Sequence, residues 1–237
     1  MRLEGTTALV TGANRGLGRH LAAELIRRGV TVYAGARTPD TIDLPGARPL
    51  QLDVTDRNSI ERAAGSTSDV SVVVNNAGSF TGAGLIDGDR DELDLEMRTH
   101  YFGTLDVVRA FNPQLAAHPT SAVLNVLSVL SWVTYPGYTG YSAAKSAEWS
   151  LTNGLRHELA AQGTQVSALH VGFLDTEMVA HVDAPKSDPA TVAKIAIDGV
   201  AKGELEILAD EGSRRVRADL AGGVATLYPD QFPARSA

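Results

Sequence analysis

The chain contains no cysteine, which excludes disulfides, thiolate metal sites and cysteine nucleophiles. Aromatic residues are scarce, at 5%, and no apolar run approaches the roughly 18 residues that read as a membrane-spanning helix. Positive charge is short as well: 21 Lys and Arg stand against 28 Asp and Glu, a formal net charge of −7. The acids are scattered, and no basic stripe marks a nucleic-acid or membrane surface. No histidine, aspartate and glutamate cluster suggests a metal site. Met1 to Gly5 lead straight into the apolar run Thr6-Thr7-Ala8-Leu9-Val10. That leaves no room for a signal or transit peptide, so a cytoplasmic location is the expectation.

What remains is the composition of a folded domain. Hydrophobic residues make up 43% and charged residues 21% of 237 positions, near the globular average. Short β-branched runs alternate with segments of helical spacing. The candidate strands are Ala8–Val10, Thr31–Ala34, Pro49–Leu52, Val70–Val74, Ala122–Leu127, Val166–Val171 and Glu206–Leu208. Between them lie periodic segments such as Leu17-Leu21-Leu25 and Leu93-Met97-Tyr101-Leu105-Val108. This order predicts an α/β fold, a Rossmann-type doubly wound parallel sheet of about seven strands with helices on both faces. Asp183 to Pro189 reads as a loop inside it, and residues 1–237 as a single domain.

Thr11-Gly12-Ala13-Asn14-Arg15-Gly16-Leu17-Gly18 falls where the first strand turns into the first helix. Glycines there let the backbone approach a pyrophosphate, whose charge is favoured by the free N–H groups of a helix start. The spacing is G-x-x-x-G-x-G rather than G-x-G-x-x-G; an ordinary tight turn is the alternative, and the position with a strand before and a helix after favours the phosphate-binding reading. An NAD site would place a carboxylate at the end of the second strand for the ribose 2′-hydroxyl. Here that position reads Gly35-Ala36-Arg37-Thr38, with Arg15 as a second cation. Two guanidinium groups and no acid suit the 2′-phosphate of NADPH or NADP+; the alternative is a pair of solvated surface arginines.

Tyr141-Ser142-Ala143-Ala144-Lys145 opens another helical segment. Positions i and i+4 share a helix face, so Tyr141 and Lys145 project together. A nearby ammonium is expected to lower the phenol pKa from about 10 and to make proton exchange with a substrate oxygen feasible. Ser128, at the end of the strand Val123–Leu127, is placed to hydrogen-bond that oxygen. Y-x-x-x-K alone arises by chance on many helices; the conjunction with Ser128 is what carries weight.

Four motifs in order, Thr11-Gly12-x-x-x-Gly16-x-Gly18, Asn75-Asn76-Ala77-Gly78, Ser128 and Tyr141-x-x-x-Lys145, resemble the short-chain dehydrogenase/reductase family from Thr6 to about Ala209. The resemblance implies NAD(P) binding and hydride transfer between nicotinamide and a carbonyl or hydroxyl carbon. It makes Tyr141 the general acid, Ser128 the group that stabilises the substrate oxygen, and Lys145 the partner of both Tyr141 and the nicotinamide ribose. Beside the glycine loop (Gly12, Asn14, Arg15, Gly16, Leu17, Gly18) and Arg37, it implies cofactor contacts from Asp53, Val54, Asn76, Ala77, Gly78, Leu174 and Thr176. Helices near 93–115 and 142–160 would pair across a two-fold axis, giving a homodimer or homotetramer.

The chain departs from that pattern twice. His100, in Thr99-His100-Tyr101-Phe102-Gly103, takes the place of an Asn that helps hold a water linked to the lysine. Its imidazole either holds such a water as a catalytic relay, with an inflection in rate near pH 6.5, or is a packed structural histidine. Val171 stands where a Pro often precedes Gly172. Val129, Leu130, Trp132, Tyr135, Tyr138, Phe173 and Met178 are the expected apolar wall for a small hydrophobic ketone or aldehyde. The short stretch between Thr176 and Pro189 argues for an open site. NADPH-dependent carbonyl reduction is the leading expectation. An alcohol dehydrogenase working oxidatively, and a non-catalytic NADP(H) sensor of the same fold, are the alternatives.

Overall fold

Strands that are apolar along their whole length need cover on both faces, and the chain supplies it by alternating strand with helix. The computed structural model describes residues 1–180 and 182–231, without the side chain of Met178. In order the elements are β1 (Thr7–Thr11), α1 (Gly16–Arg27), β2 (Thr31–Ala36), β3 (Ala47–Gln51), α2 (Arg57–Gly65), β4 (Val72–Asn75) and α3 (Arg90–Met97). Then follow α4 (Thr104–Ala117), β5 (Ser121–Val126), α5 (Thr139–Glu158), β6 (Thr164–His170), α6 (Pro189–Lys202), β7 (Glu206–Leu208), α7 (Glu211–Asp219) and α8 (Val224–Leu227). The strands form one parallel sheet of seven in the order β3-β2-β1-β4-β5-β6-β7. This is the doubly wound Rossmann-type fold that the alternation predicts.

Strand periodicity divides the core. Ala8 and Val10 of β1, Val72 and Val74 of β4, and Leu124 of β5 pack with Leu21 and Leu25 of α1 and Val192 and Ile197 of α6. Leu9, Val73 and Val123, one residue out of step, pack with Ile60 of α2, Phe111 and Leu115 of α4, and Leu155 of α5. Each fully buried side chain of this kind contributes about 1.5–3 kcal/mol. The chain reverses direction across the sheet between β1 and β4, so the carboxyl ends of these two strands diverge and open a crevice.

Helix starts are marked by aspartate. Asp56, Asp89, Asp188 and Asp210 accept backbone N–H bonds at the starts of α2, α3, α6 and α7. At α1 no side chain caps the first turn and no acid lies in it, which leaves its N–H groups facing the crevice.

Several element bounds differ from the sequence pattern, β6 beginning two residues before the expected Val166. The expected helix near 93–115 is continuous but changes its winding: α3 passes through a π-helical turn at Arg98–Gly103 into α4. The last residue of that turn is pressed against the loop after β3, where a Cβ on Gly103 would stand 2.8 Å from the Val54 carbonyl oxygen. β4 begins at Val72 rather than Val70, because the Val70 N–H donates to the Gln114 side chain at 3.1 Å instead of joining the ladder. β3 is an edge strand with no fully buried residue, so its apolar signal was weak and its start was read two residues late.

Two glycines give opposite expectations for stability. A Cβ at Gly18 would lie 2.2 Å from the Gly12 carbonyl oxygen and 2.4 Å from Asn76 Nδ2, whereas nothing lies within 4 Å of one at Gly154, inside α5. Gly18→Ala should lose about 1–3 kcal/mol as the turn is forced apart. Gly154→Ala should gain roughly 0.5–1 kcal/mol from helix propensity alone. Urea unfolding of the two variants beside the wild type checks both signs.

Candidate active site

The glycine loop is held from below by the segment that follows β4. Thr11 Oγ1 accepts the backbone N–H groups of Asn76 and Ala77, at 2.9 and 3.0 Å. The Asn76 amide donates to the Thr11 and Gly12 carbonyls, at 3.0 and 3.2 Å. Gly12, at φ +65, would bring a Cβ to 2.9 Å from Ala77 Cα, so only glycine fits. Asn76, expected to line a cofactor, also ties the loop down through its side chain. Asn14 donates to Thr41 Oγ1 at 3.2 Å. Arg15 forms an exposed ion pair with Glu177 at 2.7 Å, and Arg37 is exposed just past β2.

The remaining expected cofactor contacts border the same crevice. The Asp53 carboxylate accepts from the N–H and hydroxyl of Thr55, at 2.9 and 2.7 Å. A Cβ on Gly16 would be 3.6 Å from Thr176 Cγ2, so the loop after β6 reaches the glycine loop. That loop is folded back on itself by a bridge between Leu174 and Ser187, with the Asp175 N–H donating to Ser187 O at 3.0 Å. The uncapped α1 terminus, the close-packed glycines and the acid-free end of β2 together fit a dinucleotide phosphate.

Ser128 lies just beyond the end of β5, and its hydroxyl accepts the Leu130 N–H at 3.1 Å. The same hydroxyl donates to the Val171 carbonyl at 3.4 Å, and it lies close enough to Tyr141, in the first turn of α5, to favour the phenolate slightly. One turn later Lys145 is buried, and its ammonium donates to the Val126 carbonyl and to Glu148 Oε2, both at 2.7 Å. Glu148 is buried too, and its second oxygen accepts from Thr104 Oγ1 at 2.9 Å. Beneath this pair a polar chain crosses the sheet. Asn75 Nδ2 donates to Asn125 Oδ1 at 2.8 Å, Asn125 Nδ2 to Thr152 Oγ1 at 2.9 Å, and Thr152 Oγ1 to the Glu148 carbonyl at 2.8 Å.

The electrostatics correct one expectation. The Tyr141 ring keeps some exposure at the mouth of the site. Burial of its hydroxyl nevertheless outweighs the pull of Lys145 and pushes the phenol above its ordinary value, with Glu148 and Glu96 adding to the rise. Tyr141 is therefore held protonated rather than poised as phenolate. Lys145 is raised above its usual value because the Glu148 carboxylate and the phenol more than offset its burial.

His100 occupies the π-turn, buried, with its ring edge-on to Tyr141 at 5.1 Å between centroids. Its Nε2 lies 2.8 Å from the Ser79 carbonyl oxygen, while Nδ1 has no hydrogen-bond partner and stands 3.9 Å from Glu148 Oε2. The backbone makes room for it: a Cβ on Gly78 would lie 3.0 Å from its Cε1. Burial, and then Lys145, push its pKa well below the ordinary value. The imidazole is thus neutral across the physiological range, and the expected inflection near pH 6.5 loses its basis.

The apolar wall is built differently from the expectation. Phe80, absent from the expected wall, stacks on Tyr138 at 5.3 Å and meets Tyr141 edge-on at 5.8 Å, and Phe173 lies 6.0 Å from Tyr138. Trp132 instead stacks on the buried His170 at 3.8 Å, Tyr135 meets Tyr228 at 6.5 Å, and Leu130 is buried. The side chain of Met178 lies outside the described ones. Phe80, Glu96, Thr104 and Glu148 were all missed, and Thr11 was quoted in the motif without its role beneath the loop. For Glu148 the spacing Lys-x-x-Glu was the one available signal.

Comparison with known proteins accords with this geometry. The family model described as short chain dehydrogenase matches residues 6–187. A sorbitol dehydrogenase from Cereibacter sphaeroides is 32% identical, covering 79% of this chain and 78% of that protein. A 3-oxoacyl-acyl-carrier-protein reductase from Thermotoga maritima is 29% identical, covering 75% and 78%. Among solved structures, a short chain dehydrogenase from Burkholderia cenocepacia in complex with NADP superposes with a TM-score of 0.92. It is 33% identical over 97% of this chain and 98% of that one.

Burial of His100 also has a consequence for acid stability. The folded state holds this imidazole neutral, whereas the unfolded chain binds a proton below about pH 6.5. The unfolded state then carries more protons, so stability falls as pH drops, by up to about 1.4 kcal/mol per unit. His170, pushed down to about 4 by its burial, acts in the same sense in any His100 variant. Between about pH 7 and pH 5, His100→Asn should therefore lose up to about 2 kcal/mol less than the wild type. Denaturant unfolding at several pH values measures it, and parallel curves would show His100 exchanging protons freely in the folded protein.

Proposed function

Since the chain belongs to the short-chain dehydrogenase family, oxidoreductases acting on CH–OH and C=O groups, we propose that it reduces a small apolar ketone or aldehyde with NADPH. The observation that carries this reading is the meeting of Tyr141, Ser128 and Lys145 at one point of the crevice, with the phenol of Tyr141 held protonated beside the buried ammonium.

The residues present fit the dinucleotide. The uncapped start of α1 and the backbone of Gly12 to Gly18 would hold the pyrophosphate. Arg37 and Arg15 would meet a 2′-phosphate where a carboxylate is absent. The Burkholderia relative, solved with NADP, supports that preference. When bound, the reduced nicotinamide supplies the hydride. The protein does the rest. Ser128 hydrogen-bonds the substrate oxygen and fixes it, and the Tyr141 O–H donates its proton to that oxygen as negative charge develops on it. Lys145 already spends two of its N–H groups on Val126 and Glu148 and keeps one for the nicotinamide ribose. Phe80, Tyr138 and Phe173 offer an apolar seat for the substrate. A second copy of the chain would pack on the α4 and α5 face, where Phe102 is exposed.

NADPH oxidation followed across a panel of ketones and aldehydes tests the reading directly. No turnover with any of them, alongside tight NADPH binding, would favour a sensor. Tyr141→Phe should lower kcat by at least ~10²-fold, the lower end for general acid–base catalysis, while NADPH affinity holds. Arg37→Ala should raise KM for NADPH roughly 10- to 150-fold and leave NADH nearly unchanged, since charge-assisted hydrogen bonds contribute on the order of 1.5–3 kcal/mol. A wild type that prefers NADH would overturn the cofactor assignment.

A further inference from the structure

Glu148 stands outside every motif that identifies this chain, yet it is the group closest to the catalytic lysine. Its carboxylate is buried at 2% exposure, 2.7 Å from the Lys145 ammonium and 2.9 Å from the Thr104 hydroxyl. A buried carboxylate is costly unless it is paired and hydrogen-bonded, and both oxygens here have donors. We propose that Glu148 is a positioning residue for the Tyr141–Lys145 pair: it fixes the direction of the Lys145 ammonium and offsets its charge, so that Tyr141 stays protonated and the site is set for reduction.

The argument runs through charge. An unopposed ammonium beside a phenol favours the phenolate, the form needed to accept a proton in alcohol oxidation. A carboxylate 2.7 Å from that ammonium cancels much of its field and adds a like charge that opposes phenolate formation. The ionisable groups facing Tyr141 are Lys145 and Glu148 from α5, Glu96 from α3 and His100 from the π-turn, with His170 of β6 beside Ser128. His100 is neutral, so Lys145 is the one cation among them. Because Tyr141 and Lys145 are coupled, the proton lost on raising the pH belongs to the pair. Removing Glu148's charge must lower that step, whichever of the two groups gives up the proton.

The proposal rests on the reductive reading above, so its test includes a readout that needs no substrate. Tyrosinate absorbance is titrated with and without NADP+ in the wild type, Glu148→Gln and Glu148→Asp, each against its own Tyr141→Phe double variant. Glu148→Gln keeps shape and hydrogen-bonding capacity but loses the charge; its Tyr141 step should fall by about one pH unit or more. Glu148→Asp keeps the charge and should hold the step near the wild-type position. Where a substrate is turned over, the alkaline limb of the reduction profile should move with the titration. An unmoved step in Glu148→Gln, with or without a lowered melting temperature, would make Glu148 merely structural and overturn the proposal. Should Glu148→Gln fail to fold, Glu148→Met, which removes the charge at similar volume, takes its place in the same titration: a lowered Tyr141 step sustains the proposal, and an unmoved one overturns it. A moved step without turnover on any carbonyl would sink the reductive reading and leave the role of Glu148 standing.

Discussion

The crevice depends on one close approach, where the chain leaving β1 and the chain leaving β4 touch before they diverge. Thr11, Gly12, Gly18 and Asn76 meet there at distances that leave no room for a Cβ on either glycine. Asn76 pulls two carbonyls of the β1 turn toward the β4 segment, which turns the free N–H groups of α1 outward. The same contact fixes the segment from Ala77 to Ser79, against which His100 packs. Cofactor cradle and catalytic floor are thus two sides of one joint, and loosening it would move both.

The second constraint is electrostatic. A buried Lys–Glu pair is weak evidence for stability, because desolvation of both charges consumes most of what their attraction returns. Here each charge also has a neutral partner, Val126 O for the ammonium and Thr104 Oγ1 for the carboxylate. The Asn75–Asn125–Thr152 chain then anchors the backbone beneath Glu148. Such a network holds α5 in one rotation relative to the sheet, and that rotation aims Tyr141 at Ser128. The pair is better understood as a device for direction than as a source of stability.

Much of this was legible in the sequence where backbone chemistry forces a residue type. The glycine loop could be placed because a strand-to-helix turn with positive φ at Gly12 and Gly16 accepts little else. Tyr141 and Lys145 could be put on one face because helical periodicity is fixed. The seven strands showed as apolar runs, and errors came where tertiary contacts set the end, as at Val70, or where an edge strand was half exposed, as in β3. The π-turn stayed hidden because one inserted residue leaves a periodic pattern almost intact over a short helix. Glu148 stayed hidden for a different reason. Acid and base three residues apart usually mark a solvated helix face, and the folded chain alone turns that face into the site. Phe80 was absent from the expected aromatic wall, and the stacking of Trp132 on His170 is a long-range contact that no local pattern encodes.

His100 shows how a departure from a family pattern can be accommodated without loss of order. The imidazole fills space that Gly78 leaves open, and its Nε2 meets the Ser79 carbonyl at 2.8 Å. The Ser79 N–H also points at Nε2, at a longer 3.3 Å; with Nε2 donating to the nearer carbonyl, Nδ1 is left as a lone pair. Nδ1 faces the Glu148 carboxylate at 3.9 Å, acceptor against acceptor, an arrangement that transmits no proton directly. Burial beside Lys145 opposes a charged ring, so any part His100 takes in proton supply is that of a neutral imidazole holding a water at its unpartnered Nδ1. The residue that answers to Lys145 in this chain is Glu148. What the structure shows of His100 is a neutral imidazole set edge-on against the Tyr141 ring.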